Sequence, residues 1–306
     1  MDKNPLRVQS APAGKSPKPT PLVLIHDGGG TTFGYFSLGK LHRDVWAIHN
    51  PRFFTAAPWE GGMDEMARHY IELIESIDLS GPILLGGWSL GGYLSIVMAR
   101  ILADTPSPKF SVAGMLMIDS PYHVAMNRFP GAGADPDFSK LPELVRKSLA
   151  NCDQLLQNWE LPAWDGPALG GRAVTLRVGG EAHRVEDGGI LYKSLTEGWR
   201  NVDAQRFHQD AGESAPAGDG PPPTVLVRCV GYAKTKTPSD KSCFVDLYRD
   251  ERFLGWEGTY PSFIKASMDT DTNHYGVFDF KHVSSVSKLT VQLNEGLGIL
   301  ETLKDS

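Results

Sequence analysis

Short, unbroken apolar runs, each ended abruptly by a turn residue or an acid, punctuate the first 120 positions. PLVLIH (21–26) runs into DGGG, DVWAIHNP (44–51) stops at proline, PILLGGW (82–88) meets a serine, and VAGMLMID (112–119) closes on a carboxylate. Runs of this kind predict strands buried on both faces, as in a parallel sheet. Between them lie helical periods. MDEMARHYIELIESI (63–77) places Met66, Tyr70, Leu73, Ile74 and Ile77 on one stripe, and LGGYLSIVMARIL (90–102) reads as a second helix. The alternation predicts an α/β fold whose mostly parallel central sheet carries helices on both faces.

The rhythm lapses over residues 120–223. That stretch holds a helical pattern, LPELVRKSLANCDQLLQNW (141–159), one possible strand, RAVTLRV (172–178), and the Gly- and Pro-rich pieces FPGAGADP and AGESAPAGDGPPP. Strands return at TVLVRCV (224–230) and SFIKASM (262–268), and SSVSKLTVQLNEGLGILETL (284–303) reads as a closing helix. The expected organisation is one α/β domain over residues 21–306, interrupted at about 120–223. An ordered insertion of ~100 residues over the catalytic edge of a sheet would form a lid. Its end, 210–223, is expected to be a loose loop, and the polar, Pro-rich residues 1–20 a flexible leader.

Composition narrows the classes of function. Thirty Lys and Arg stand against 36 Asp and Glu, a formal charge of −6 with no run of like charge. Nucleic acid is therefore not expected as a partner. No apolar run approaches ~18 residues and no signal peptide heads the chain, so a soluble cytoplasmic protein without membrane insertion is expected. Cys152, Cys229 and Cys243 are too few and too irregular for a disulfide framework or a zinc site. They read as free thiols in a reducing compartment, and no cofactor or metal is expected.

The chemistry centres on Gly87-Trp88-Ser89-Leu90-Gly91, a G-x-S-x-G motif. A serine capping a Gly-rich turn would satisfy the bare pattern. Here the motif also follows a strand and opens a helix, the context in which it forms a strained elbow that exposes a nucleophile. Gly87 and Gly91 lack bulk where the chain nearly touches itself. Developing negative charge needs two backbone donors: the N–H of Leu90, and one from HDGGGTT (26–32), where Gly28 comes first and Asp27 next. That loop is no phosphate cradle. A dinucleotide fingerprint from Gly28 meets Phe33 where glycine is needed, and a P-loop from Gly29 meets Tyr35 where lysine is needed.

In this fold the order is serine, acid, histidine. His274, in a polar loop after SFIKASM, is the candidate base, with His282 at the start of the final helix read as surface. For the acid, Asp240, Asp246 and Asp250 follow the penultimate strand, whereas Asp119 ends the strand after the nucleophile helix. Asp119 is preferred, because a carboxylate that closes an apolar strand is held at the sheet edge. Its role would be to orient His274 and stabilise the imidazolium.

With GGWSLGG, IHDGGGTT, Asp119 and NHY (273–275) assembled, the chain resembles the thioesterase domains of polyketide synthases and nonribosomal peptide synthetases, within the α/β-hydrolase superfamily. The likeness runs from about Pro21 to Asn294, and DERFLGWEGTYPSFIKASMDTDTNHYGVF (250–278) carries it strongly. The resemblance implies Ser89 as nucleophile, Asp119 as acid, His274 as base, and the Gly28 and Leu90 amides as oxyanion donors. It implies an acyl, expected polyketide, chain released by hydrolysis or cyclisation from the phosphopantetheine of a carrier protein or synthase. A free-standing protein of fungal or bacterial type, acting in trans, is expected. The long lid and an NHY where the family commonly has His-Phe leave the substrate and the outcome of release open. Trp88, Tyr122, Leu155, Trp159 and Trp164 are candidate substrate contacts. A carboxylesterase or lipase, a type II editing thioesterase, and a non-catalytic binding protein on the same scaffold are the alternatives.

Overall fold

The computed structural model describes residues 3–14, 17–128, 133–203, 220–237, 241–279 and 283–304. In chain order the elements are β1 (Leu6–Gln9), β2 (Leu22–Ile25), β3 (Val45–Ile48), α1 (Gly62–Glu75), β4 (Gly81–Trp88), α2 (Leu90–Asp104) and β5 (Phe110–Ile118). They continue with α3 (Glu143–Leu156), β6 (Val174–Val178), β7 (Glu181–Val185), β8 (Gly189–Lys193), β9 (Arg200–Asp203), β10 (Thr224–Gly231), β11 (Ile264–Asn273) and α4 (Val283–Lys304). Nine strands form one sheet in the order β1-β3-β2-β4-β5-β10-β11-β8-β9. Its interior pairs are parallel, and only the two edges, β1 on β3 and β9 on β8, are antiparallel.

Period-two burial in the central strands supplies both faces of the core. Val23 and Ile25 pack with α1 and α2 on one side, whereas Leu22 and Leu24 pack with α4 on the other. All four are fully buried, as expected for strands covered twice. The chain leaves β2 toward β3 on one side and returns at β4 on the other, which opens a crevice at the carboxyl ends of β2 and β4. This is the α/β-hydrolase fold, and the α/β class and parallel sheet read from the apolar runs are present.

Two expectations need correction. The leader is not flexible throughout, because Leu6–Gln9 pairs with β3 as an edge strand. Backbone pairing rather than apolar burial orders it. Asn4 exchanges hydrogen bonds with His49 N and O, and Gln9 bonds to Leu41 N and Gly39 O. The insertion is also not all lid. The β6–β7 hairpin adds Val174, Leu176, Val178 and Val185 to the α4 face, and β8 and β9 extend the main sheet past β11. Among the described residues of the insertion, those that approach the crevice belong to its first half, which contains α3. The expected loose loop at 210–223 lies, up to residue 219, outside the described residues, as do Asp240 and His282.

Candidate active site

Ser89 stands between β4 and α2 at φ 55° and ψ −117°, a region L-residues occupy only when the surroundings compel it. The surroundings here are tight. A Cβ on Gly87 would lie 2.4 Å from Ile25 O and 2.8 Å from Gly91 Cα, and one on Gly91 would lie 2.4 Å from the same carbonyl. Tyr35 braces the elbow, donating to Ile25 O (2.6 Å) while accepting from Trp88 N (3.0 Å). Ser120 donates to Ser89 O (2.7 Å). The hydroxyl is thus presented at the rim by a backbone fixed on three sides.

Three strand ends bring the sequence candidates together. Ser89 follows β4, Asp119 follows β5, and His274 follows β11. His274 Nε2 lies 2.9 Å from Ser89 Oγ, and its Nδ1 lies 2.8 Å from Asp119 Oδ2. Asp119 is itself at φ 47°, a left-handed conformation that aspartate tolerates better than most residues. Trp88 flanks the imidazole, with ring centroids 5.8 Å apart. Imidazole and carboxylate are both buried.

Asp119 carries more than the histidine. Oδ1 accepts from Arg249 Nη1 (2.6 Å) and Cys229 N (2.8 Å), and Oδ2 accepts from Arg249 Nη2 (2.9 Å) as well as His274. Burial alone would push the Asp119 carboxyl up. The His274 hydrogen bond and the Arg249 charge outweigh it and hold the group at about 2, so it stays ionised. Asp246, the rival acid, is bound to Arg249 Nε (2.8 Å) and Ala233 N (2.7 Å). Asp250 is exposed. Arg249 escaped the sequence reading: in DLYRDER (246–252) it looks like one charge in a solvated turn, and nothing local separates it from Arg252.

The cavity at Ser89 has a volume of about 280 Å³. Its wall includes Asp27, Gly28, Tyr122, Leu149 and Leu156 from the chain before β6, and Phe244, Val245 and Tyr275 from the chain after β10. Helix α3 roofs it and presses on the loop after β2: Ser148 Oγ donates to Gly28 O (3.0 Å), and a Cβ on Gly28 would meet Cys152 Sγ at 3.0 Å. Gly28 also borders a second cavity of about 210 Å³ that Leu90 and Leu155 line. As the first residue of α2, Leu90 has an N–H with no intrahelical acceptor. Burial pushes the Asp27 carboxyl up to about 6, against the Gly29 N–H and the His274 charge.

Of the five candidate substrate contacts, Tyr122 alone lines this cavity; Trp88 packs beside His274, Leu155 lines the neighbouring cavity, and the two remaining tryptophans lie elsewhere. Trp159 stacks on Tyr93 and His123, with centroids 5.6 and 5.0 Å away. Trp164 is buried under the Arg100 guanidinium. Both anchor the insertion to the core, because flat rings at the lid root gain more by burial than by facing an open cavity. Ser148, Leu149 and Cys152 on α3, and Phe244 and Val245 after β10, were not anticipated as wall residues. The amphipathic pattern of 141–159 placed a helix without saying which side of it faced the crevice. Among the described residues no group of His, Cys, Asp or Glu side chains is arranged to hold a metal ion. No described helix is long and apolar enough to cross a membrane. The three cysteines are free.

Residues 20–161 match the family model described as Thioesterase domain. Over 301 residues the chain is 48% identical to a probable thioesterase, KK1J, of Curvularia clavata, covering 98% of this chain and 97% of that one. Over 315 residues it is 46% identical to a probable thioesterase, lcsE, of Purpureocillium lilacinum, covering 99% and 98%. Among solved structures, the NocB thioesterase domain from the nocardicin cluster shares the fold, with a TM-score of 0.52 at 20% identity over 91% of this chain and 94% of that one. Fold and relatives define a hydrolase of the α/β class. The chain belongs to the thioesterase family and is a thioesterase.

Proposed function

We propose that the enzyme releases an acyl chain, of the polyketide type, from the pantetheine thiol of a carrier protein through an acyl-serine intermediate. The observation that supports this reading is the hydrogen-bonded series Ser89 Oγ, His274 Nε2, His274 Nδ1 and Asp119 Oδ2, with both steps under 3 Å. His274 Nε2 takes the Ser89 proton as Oγ attacks the thioester carbonyl. The carbonyl oxygen gathers charge beside the Gly28 and Leu90 amides. The carbon–sulfur bond then breaks, and the imidazolium returns its proton to the departing thiolate. Water, or a nucleophile of the acyl chain itself, attacks the ester carbonyl in turn and frees Ser89. Asp119 stays ionised throughout and stabilises the imidazolium.

Intact-mass spectrometry after mixing the protein with acyl-pantetheine thioesters tests this directly. A transient adduct of the acyl mass, absent in Ser89→Ala, is the expected result. Ser89→Ala should also lose at least about 10⁴-fold in turnover while keeping its melting temperature within a few degrees. Unchanged turnover in that variant would remove Ser89 from the mechanism. A strong preference for matched oxygen esters would point instead to a carboxylesterase.

A further inference from the structure

One buried guanidinium lies between two buried carboxylates, at the two places where an α/β-hydrolase can seat its acid. Asp119 follows β5, and Asp246 lies in the segment after β10. Arg249 forks onto both oxygens of Asp119 (2.6 and 2.9 Å) and turns its Nε to Asp246 Oδ1 (2.8 Å). All three side chains are fully enclosed. Nη1 also donates to Cys229 O (2.6 Å). The Arg249 carbonyl accepts from Arg228 (2.9 Å), which pairs with Asp269 (3.2 Å), itself bonded to Tyr192 on β8 (2.5 Å). The arginine is thereby tied at both ends, and its fork faces one way.

We infer that Arg249 is a positioning residue for this enzyme: it holds Asp119 in register with His274 and, together with Asp246, sets the electrostatic balance around the imidazole. The inference rests on the functional reading above. A guanidinium paired with Asp119 alone would cancel the charge that steadies the imidazolium. Asp246 restores one negative charge, so the trio carries net −1, and with His274 the four groups go from −1 to zero when the imidazole is protonated. Asp246 is in this arrangement a counterion and not a second acid, because its oxygens are spent on Arg249 and the Ala233 amide.

The other titratable groups around the imidazole are accounted for. Asp27 reaches it from the loop after β2. Tyr93 on α2 and Tyr275 beside it stay neutral, as do the thiols of Cys229 on β10 and Cys152 on α3, since burial pushes each of them up. Asp153 on α3 stands near Tyr275. Arg249 is the cation of the set. It shares Asp119 Oδ2 with His274, which places charge and ring within about 6 Å, close enough for a removed charge to be felt.

The test compares the acidic limb of the pH dependence of kcat/KM in the wild type and three variants, using an acyl-pantetheine thioester. Asp246→Asn leaves the arginine with Asp119 as its one counterion and should move the limb down by roughly half to one pH unit. Arg249→Met removes the cation and should move it up by a similar amount. Arg249→Lys keeps the charge but not the fork, so the limb should stay while kcat falls about tenfold or more. Limbs unmoved in both Asp246→Asn and Arg249→Met would overturn the proposal and leave a purely structural ion pair. If Arg249→Met does not fold, the contrast between a lowered limb in Asp246→Asn and an unmoved one in Arg249→Lys decides, and a limb unmoved in Asp246→Asn overturns the proposal. Titration of the His274 ring by NMR reads the same displacement without substrate. A wild type inert toward thioesters would therefore sink the functional reading, while the titration still judged Arg249.

Discussion

Two carboxylates at the sheet rim have been driven in opposite directions, one by its partners and one by burial. Asp119 is enclosed and yet ionised, because four donors converge on it. Asp27 is half-buried with little beyond the Gly29 amide and a neighbouring histidine to offset desolvation, and its carboxyl is pushed up to about 6. The consequences for stability have opposite signs. Asp119, held down at about 2, stabilises the fold above the ordinary carboxylate range, and that contribution is lost as pH falls from about 4 through about 2. Asp27 favours the fold while protonated, and its contribution is lost as pH rises from about 4 through about 6. Asp27→Asn should therefore melt at a higher temperature than the wild type near about pH 8 and at the same temperature near about pH 3.5. Paired thermal melts check this. A difference that persisted at low pH would show that packing, and not charge, was altered.

At the scale of elements, legibility followed burial. The runs that became β2, β4, β5, β10 and β11 stood out because a strand covered on both faces tolerates few polar residues. The triad candidates stood out because each sits where such a run stops. What could not be read was made by neighbours distant in the chain. Strands β1, β8 and β9 are four or five residues long and pair at the edges, so their sequences carry little alternation. Arg249 is defined by Asp119, 130 positions away. Which side of α3 faces the cavity depends on contacts such as Ser148 with Gly28, 120 positions away.

That helix makes its own prediction. Leu149 and Leu156 line the Ser89 cavity while Leu155 turns to the neighbouring one, so α3 divides the space beneath the lid. Leu156→Ala removes three carbons from the wall of the first chamber. Relative kcat/KM should shift by about tenfold toward an acyl chain two or three carbons longer, the scale expected for methylene discrimination in an apolar pocket. A series of linear acyl-pantetheine thioesters measures it. A uniform fall across the series would mean that the residue only supports the fold of the lid.

For the whole molecule, the sheet has to be closed at both ends, and the two ends are closed differently. The far edge is finished by β8 and β9, which the insertion supplies. The near edge is finished by β1, from a segment with the composition of a loose leader. Strand β1 buries little, yet it covers the open side of β3, and the Arg7–Asp44 ion pair and the Ala11 bond to Asp44 hold its far end. An uncovered β3 would offer unpaired amides and carbonyls beside Trp46, a template for another chain. Deleting residues 1–11 should leave kcat within about twofold, since no described residue of that segment lines the Ser89 cavity. The melting temperature should fall by several degrees, on the order of 2–4 °C for each kcal/mol lost, and light scattering should rise with protein concentration. If the truncated protein melted and scattered light like the full chain, β1 would be an ornament of the edge. If it lost activity in step with stability, the edge strand would be holding the crevice itself, through β3 and its parallel neighbour β2, whose carboxyl end leads directly into Asp27 and Gly28.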